Sequence, residues 1–127
     1  MRVVTSAAHS PHAQPVFEAM LDGWTRQQRA GSLPSYTVQS RLDLVYRFAV
    51  YTDRYPWEWE PGQADAFLDH LLSAHLRTAQ RPIGLSTIST YRLALRLFLE
   101  YVTDPRHAWL RECQEKFGRV PVPIPPE

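Results

Sequence analysis

Thr37-Val38-Gln39-Ser40 returns fifty positions later as Thr87-Ile88-Ser89-Thr90, and this echo decides how the chain is read. Phe48 and Tyr51 return as Phe98 and Tyr101, and upstream Phe17 and Leu21 return as Phe67 and Leu71. Each copy reads as helix, break, helix. The second helix of each copy opens with a Ser/Thr cluster followed by arginines. Two copies predict a paired architecture of two helical hairpins and not a solenoid, which stacks many repeats. Such hairpins can pack about an approximate two-fold axis and bring two helix N-termini to one side. Free backbone N–H groups and the helix dipole would make that side attractive to phosphate.

Working outward, Phe17, Met20, Leu21 and Trp24 fall at helical spacing and predict the buried face of a first helix opening near Pro15. Gly31 is its expected stop, and Leu33-Pro34 turns the chain. Ser35 is of a strong N-cap type, and the second helix should run to Thr52 with Val38, Leu42, Val45, Phe48 and Ala49 inward. Trp57 and Trp59 alternate with Glu58 and Glu60 and are expected to plug the junction between hairpins. A third helix starts near Pro61, with Phe67, Leu68, Leu71 and Leu72 apolar. Residues 77–85 form a basic connection. Ser86 caps a fourth helix that runs to Thr103, burying Ile88, Tyr91, Leu95, Phe98, Leu99 and Val102 until Asp104-Pro105 ends it. A short fifth helix spans Ala108 to Phe117, stopped by Gly118. The expectation is an all-α domain, residues 14–119, between a flexible segment at 1–13 and a proline-rich linker or docking arm at 120–127.

Composition narrows the function classes. The 44% hydrophobic and 21% charged fractions are those of a globular protein. No apolar run has the length of a membrane span and residues 1–15 lack a signal-peptide layout, so no membrane partner and a cytoplasmic location are expected. The single cysteine, Cys113, excludes an internal disulfide and a cysteine-cluster metal site. The net charge of +1 hides an asymmetry: residues 1–76 carry six basic and eight acidic groups, residues 77–119 eight basic and four acidic. Lys116 is the sole lysine; arginine suits bidentate contacts to phosphate and guanine, and the plainer alternative is a GC-rich genome that favours arginine codons everywhere.

The candidate binding residues come from the repeat. On the fourth helix, Ser86, Thr87, Ser89 and Thr90 supply hydroxyls, and Arg92 and Arg96 lie one turn apart on the side away from the core stripe. On the second helix, Thr37, Gln39, Ser40, Arg41 and Arg47 repeat the arrangement, with Asp43 weakening its field. DNA-binding proteins use this mixture for backbone contacts; the plainer alternative is a pair of capped helices with solvated arginines. Catalysis has no support: no Gly-rich phosphate loop, nucleophile motif or acid–base constellation is visible. No metal site and no cofactor are expected. His9 and His12 lie in the flexible segment, and His70 and His75, five apart, do not share a helical face. Asp65 and Asp69 read as a solvated face, and Cys113 as packed.

These residues resemble a known family. Pro34-Ser-Tyr-Thr-Val-Gln-Ser-Arg-Leu42 and Leu85-Ser-Thr-Ile-Ser-Thr-Tyr-Arg-Leu-Ala-Leu-Arg-Leu-Phe-Leu-Glu-Tyr101 are similar to helix openings in the N-terminal core-binding domain of tyrosine site-specific recombinases, the phage-integrase type. Asp104-Pro-Arg-His-Ala-Trp109 through Phe117-Gly118 looks like the actinobacterial integrases among them. The resemblance covers residues 14 to about 124. It implies a SAM-like bundle of four main helices plus the short C-terminal one, clamping double-stranded DNA through the second and fourth helices. It also implies as partners a recombinase catalytic domain and other recombinase protomers. The family's catalytic arginines, histidine and tyrosine belong to a downstream domain, so this chain is expected not to be an enzyme by itself. The Gly31-Ser-Leu-Pro-Ser-Tyr-Thr37 turn departs from the family's order and puts Tyr36 at a DNA-side position. The alternative is a helical protein-interaction module with the fold and no DNA affinity, which the near-neutral total charge favours.

Overall fold

The computed structural model describes residues 10–78 and 85–125, with the backbone alone for 74–78, 85 and 86. The described residues form five α-helices and no strand: α1 Ala13–Ala30, α2 Ser35–Thr52, α3 Pro61–Thr78, α4 Leu85–Thr103 and α5 Trp109–Phe117. A 3-10 turn, Pro56–Glu58, joins the two hairpins. The fifty-residue echo is a structural one. Leu44, Val45, Phe48 and Ala49 of α2 are buried, and so are Ala94, Leu95, Phe98 and Leu99, their counterparts in α4.

The helices are not equivalent in the core. α4 touches each of the other four. Its run Leu93-Ala-Leu-Arg-Leu-Phe-Leu99 is apolar on nearly every side, and a helix of that kind is stable only when surrounded. Phe98 is the hub. It meets Trp24 at 5.3 Å, Trp59 at 6.1 Å and Phe17 at 6.4 Å between ring centroids. The Phe17 and Trp24 contacts are edge-to-face, which adds about 0.5–1.5 kcal/mol each beyond area burial. Trp57 and Trp59 are buried as plugs. Trp57 stacks on Phe117 at 4.0 Å and on Tyr55 at 5.2 Å, tying the interhairpin turn to the end of α5. Of the proline-rich arm, Pro121 and Ile124 are buried, so through residue 125 it is docked on the bundle.

Helix boundaries differ from expectation where backbone chemistry had more than one solution. α1 begins at Ala13, which puts Pro15 third, still among the positions whose N–H has no helical partner. Ser35 is the first residue of α2 and not its cap. Pro34 holds that place with ψ 146°, its carbonyl accepting from the N–H groups of Thr37 and Val38 at 3.1 Å each, and no side chain caps the helix. Gly31 does not take the left-handed conformation (φ −81°); Ser32 does, at φ 64°. Asp53 ends α2 at φ 53°, and Gly118 ends α5 at φ 69°.

Candidate functional site

The structure separates the eleven candidate residues into those the fold consumes and those it spares. Arg92 is consumed: its guanidinium donates to the Asp65 carboxylate on α3, and the side chain is only 23% exposed. The central position of α4 is the cause, because its flank at Arg92 faces a neighbouring helix. Asp65, expected on a solvated face, is the other half of that pair. Arg41 is turned inward as well. It lies on the core-facing arc of α2, half-buried, and donates from Nη1 to Gln28 Oε1 of α1 at 3.2 Å. Gln39 donates to Asp43 one turn on, at 2.8 Å.

Ser40, Ser89 and Arg47 are exposed, and Arg96 is half-buried. Among the described residues, none of the four side chains has a hydrogen-bond or ion-pair partner, and the Arg96 Nε is buried without an acceptor. Thr37 and Thr87 are half-buried, Thr90 is exposed, and the Ser86 side chain lies outside the described residues. Tyr36 is the most exposed large hydrophobic side chain described, at 76%.

The two helix starts do not come together. Leu33, just before α2, and Asp104 and Arg106, just after α4, line one cleft. The start of α2 therefore sits beside the end of α4. The 19 residues of α4 put its own start about 28 Å away. Any surface shared by α2 and α4 runs along their flanks and is not a pair of adjoining N-termini.

That cleft of about 430 Å³ was missed by sequence reasoning. It is lined by Trp24, Gln27, Gln28 and Gly31 of α1 and its end, Leu33 and Arg41, and Leu97, Glu100, Tyr101, Asp104 and Arg106. Gln28 is 5% exposed and is the one buried polar residue among those described. At the rim, the Arg106 side chain and backbone N–H donate to Asp104, with Nη2 at 2.7 Å and Nε at 3.0 Å, and hold its carboxyl down to about 2. A second groove of about 410 Å³ runs between α2 and α3, bounded by Tyr46, Arg47, Val50, Tyr51, Phe67, His70 and Leu71. Burial, with smaller contributions from Glu18 and Asp22, raises the Tyr46 phenol above its ordinary value.

Cys113 is fully buried, and burial foremost, with Glu112, pushes its thiol up to about 12. At neutral pH it is protonated and unsuited to nucleophilic work. The described residues hold no cluster of three or more His, Cys, Asp or Glu side chains that could bind a metal, and no helix long and apolar enough to cross a membrane. No protein-family model, curated protein or solved structure matches the chain.

Proposed function

We propose that this chain is a non-catalytic DNA-binding domain of the tyrosine-recombinase type, which holds one side of a duplex through the flanks of α2 and α4 during site-specific recombination or DNA integration. The SAM-like character of the bundle is part of this proposal. The observation that carries it is the set of polar side chains the fold leaves over. The repeat makes both hairpins, yet the side chains of Ser40, Arg47, Ser89 and Arg96 make no hydrogen bond or ion pair among the described residues, with Arg96 contributing only by packing its half-buried stem. Hydroxyls and guanidinium groups free of internal partners are suited to phosphate contacts. The resemblance of the helix openings to recombinase core-binding domains points the same way and draws on stretches that include Ser40, Ser89 and Arg96 themselves. Arg41 and Arg92 have lesser parts in this reading, because internal acceptors already hold them.

The test is a double substitution, Arg47→Ala with Arg96→Ala, in fluorescence anisotropy with a labelled duplex at low salt. Affinity should drop by about 1–3 kcal/mol. Wild-type binding by the double variant would refute the assigned surface.

The second reading, a helical protein-interaction module, is favoured by the α2–α3 groove, where Val50 is 61% and Tyr51 42% exposed. Tyr51→Ser with Val50→Ser, which adds no charge beside Arg47 in the same groove, separates the two. DNA affinity that survives the pair supports the first reading. A wild-type protein without DNA affinity at low salt supports the second.

A further inference from the structure

One face of α2 is open along its whole length. Tyr36, Ser40, Asp43, Arg47 and Val50 follow one another at intervals of three or four residues, which keeps them on one stripe, and all five are exposed. The opposite side of the helix packs on α1, α3 and α4. Of the five large apolar side chains that the described residues expose, three, Tyr36, Val50 and Tyr51, are on this helix. Single exposed apolar groups are ordinary, whereas a cluster on one face marks a contact surface.

The stripe has an order, and the order is self-complementary. An aromatic ring stands at its start, a carboxylate at its middle, a guanidinium one turn on, and the apolar groove between α2 and α3 at its end. In a two-fold contact, residue i meets residue j of the other copy wherever j meets i. Two copies of α2 laid antiparallel, with the axis at Asp43, bring Tyr36, seven residues before the axis, over the partner's Val50 and the partner's Tyr51, seven and eight residues beyond it. Arg47 then stands about 6 Å along the helix from the partner's Asp43, within reach of an arginine side chain. The Gln39 amide takes one Asp43 oxygen and leaves the other for that contact. Arg47 has no internal acceptor among the described residues. A parallel pairing would instead set Arg47 against the partner's Arg47 and leave both grooves unfilled.

We propose that this face of α2 pairs with the same face of a second copy of this chain, antiparallel, in a weak two-fold dimer. Tyr36 is the anchor, its ring seated in the other copy's α2–α3 groove, and Arg47 faces the partner's Asp43 on both sides of the axis. The pairing does not rest on the DNA-binding proposal. It covers Ser40 and Arg47, so where both hold, duplex DNA and the second copy exclude each other at α2.

Sedimentation velocity of the full chain, free of DNA, tests the pairing. One helix face makes a small interface of the transient kind, so a reversible monomer–dimer equilibrium should appear with a dissociation constant of about 0.1 mM. Tyr36→Ser should weaken it about tenfold or more, because a buried tyrosine anchor carries a large share of such an interface. Tyr36 is exposed in the single chain, so the substitution leaves the fold intact. Arg47→Asp should weaken the dimer about tenfold, and adding Asp43→Arg, which exchanges the two charges, should restore it. A chain that stays monomeric up to about ten times that dissociation constant, an equilibrium unchanged in Tyr36→Ser, or no recovery in the charge exchange would each overturn the proposal. A chain that dimerises in this way yet fails to bind DNA would refute the DNA-binding reading and leave the pairing standing.

Discussion

Tyr51 and Tyr101 occupy the same place in the two copies of the repeat and have opposite fates. Tyr51 is 42% exposed at the rim of the α2–α3 groove, against Phe67 and His70. Tyr101 is 8% exposed, accepts a hydrogen bond from the Trp109 indole at 3.2 Å and packs on His107. Its ring reaches α1 where Gly23 has no Cβ to obstruct it. The segments downstream of the two helices make the difference. After α4 the chain folds back as α5; after α2 it is drawn inward as the plug of Tyr55, Trp57 and Trp59. A repeated helix therefore becomes a surface in one copy and a core in the other. The polar residues it carries are reassigned in the same way: Arg47 on α2 stays in solvent, and Arg92 on α4 is taken by Asp65.

The largest expected effect tests the asymmetry of the core. Phe98→Ala should cost about 3–5 kcal/mol of stability in urea denaturation, near the upper end, because Phe98 meets rings from α1 and from the plug. Phe48→Ala, in the same repeat position with Trp59 and Phe67 as its ring neighbours, should cost less. Equal losses would break the claim that α4 is the central helix.

Gly23→Ala sharpens the Tyr51–Tyr101 contrast. An added Cβ would collide with the Tyr101 hydroxyl, and the substitution should destabilise by about 1–3 kcal/mol. The Tyr101→Phe background removes the colliding oxygen and should recover part of that loss in a double-mutant cycle. Tyr51→Phe should shift stability by no more than about 0.5 kcal/mol, as at other surface positions.

Legibility in the sequence differs along the chain. Helix identity was legible, since the apolar spacing of α1 and the breaks at Pro61, Asp104-Pro105 and Gly118 each have a local cause. The paired hairpins were legible from the echo. Leu44 and Ala94 were missed because they lie outside the strict stripe, on flanks that only packing in the assembled bundle buries. The inward turn of Arg41 and the Arg92–Asp65 pair were illegible for a related reason: a helical wheel separates inside from outside but does not say which neighbours surround a helix. Ser89, Arg92, Leu93 and Arg96 look like an open face on the wheel, yet only Ser89 is fully exposed. The cleft at Gln28 joins residues from three segments and leaves no mark in local spacing.

The ends of the two repeated helices also differ. Asp104 holds Arg106 after α4, whereas Arg54, its counterpart after α2, faces Glu60 at 3.9 Å in solvent. Because the Arg106 contacts lower the Asp104 carboxyl to about 2 from an ordinary 3.8, its contribution is complete above about pH 4 and is lost as pH falls toward 2. In acid titrations of thermal stability, wild type should lose an increment over that window that Asp104→Asn does not. Parallel curves would show that the pair contributes nothing to α4.

The smallest effect concerns the arginine that α4 surrenders. Asp65→Asn removes an acidic group and one of the contacts that hold Arg92. DNA affinity should rise, and the slope of log affinity against log salt should steepen by up to about 1. Unchanged affinity and slope would mean that the Asp65 flank of α4 lies away from the duplex.

The central claim, that the surplus polar side chains of α2 and α4 hold DNA phosphates, is tested most directly by the salt dependence of wild-type binding to a labelled duplex. With Arg47 and Arg96 each neutralising about one phosphate, log affinity should fall linearly with log salt at a slope of about −2. Affinity that does not change with salt, or no binding at low salt, would contradict it.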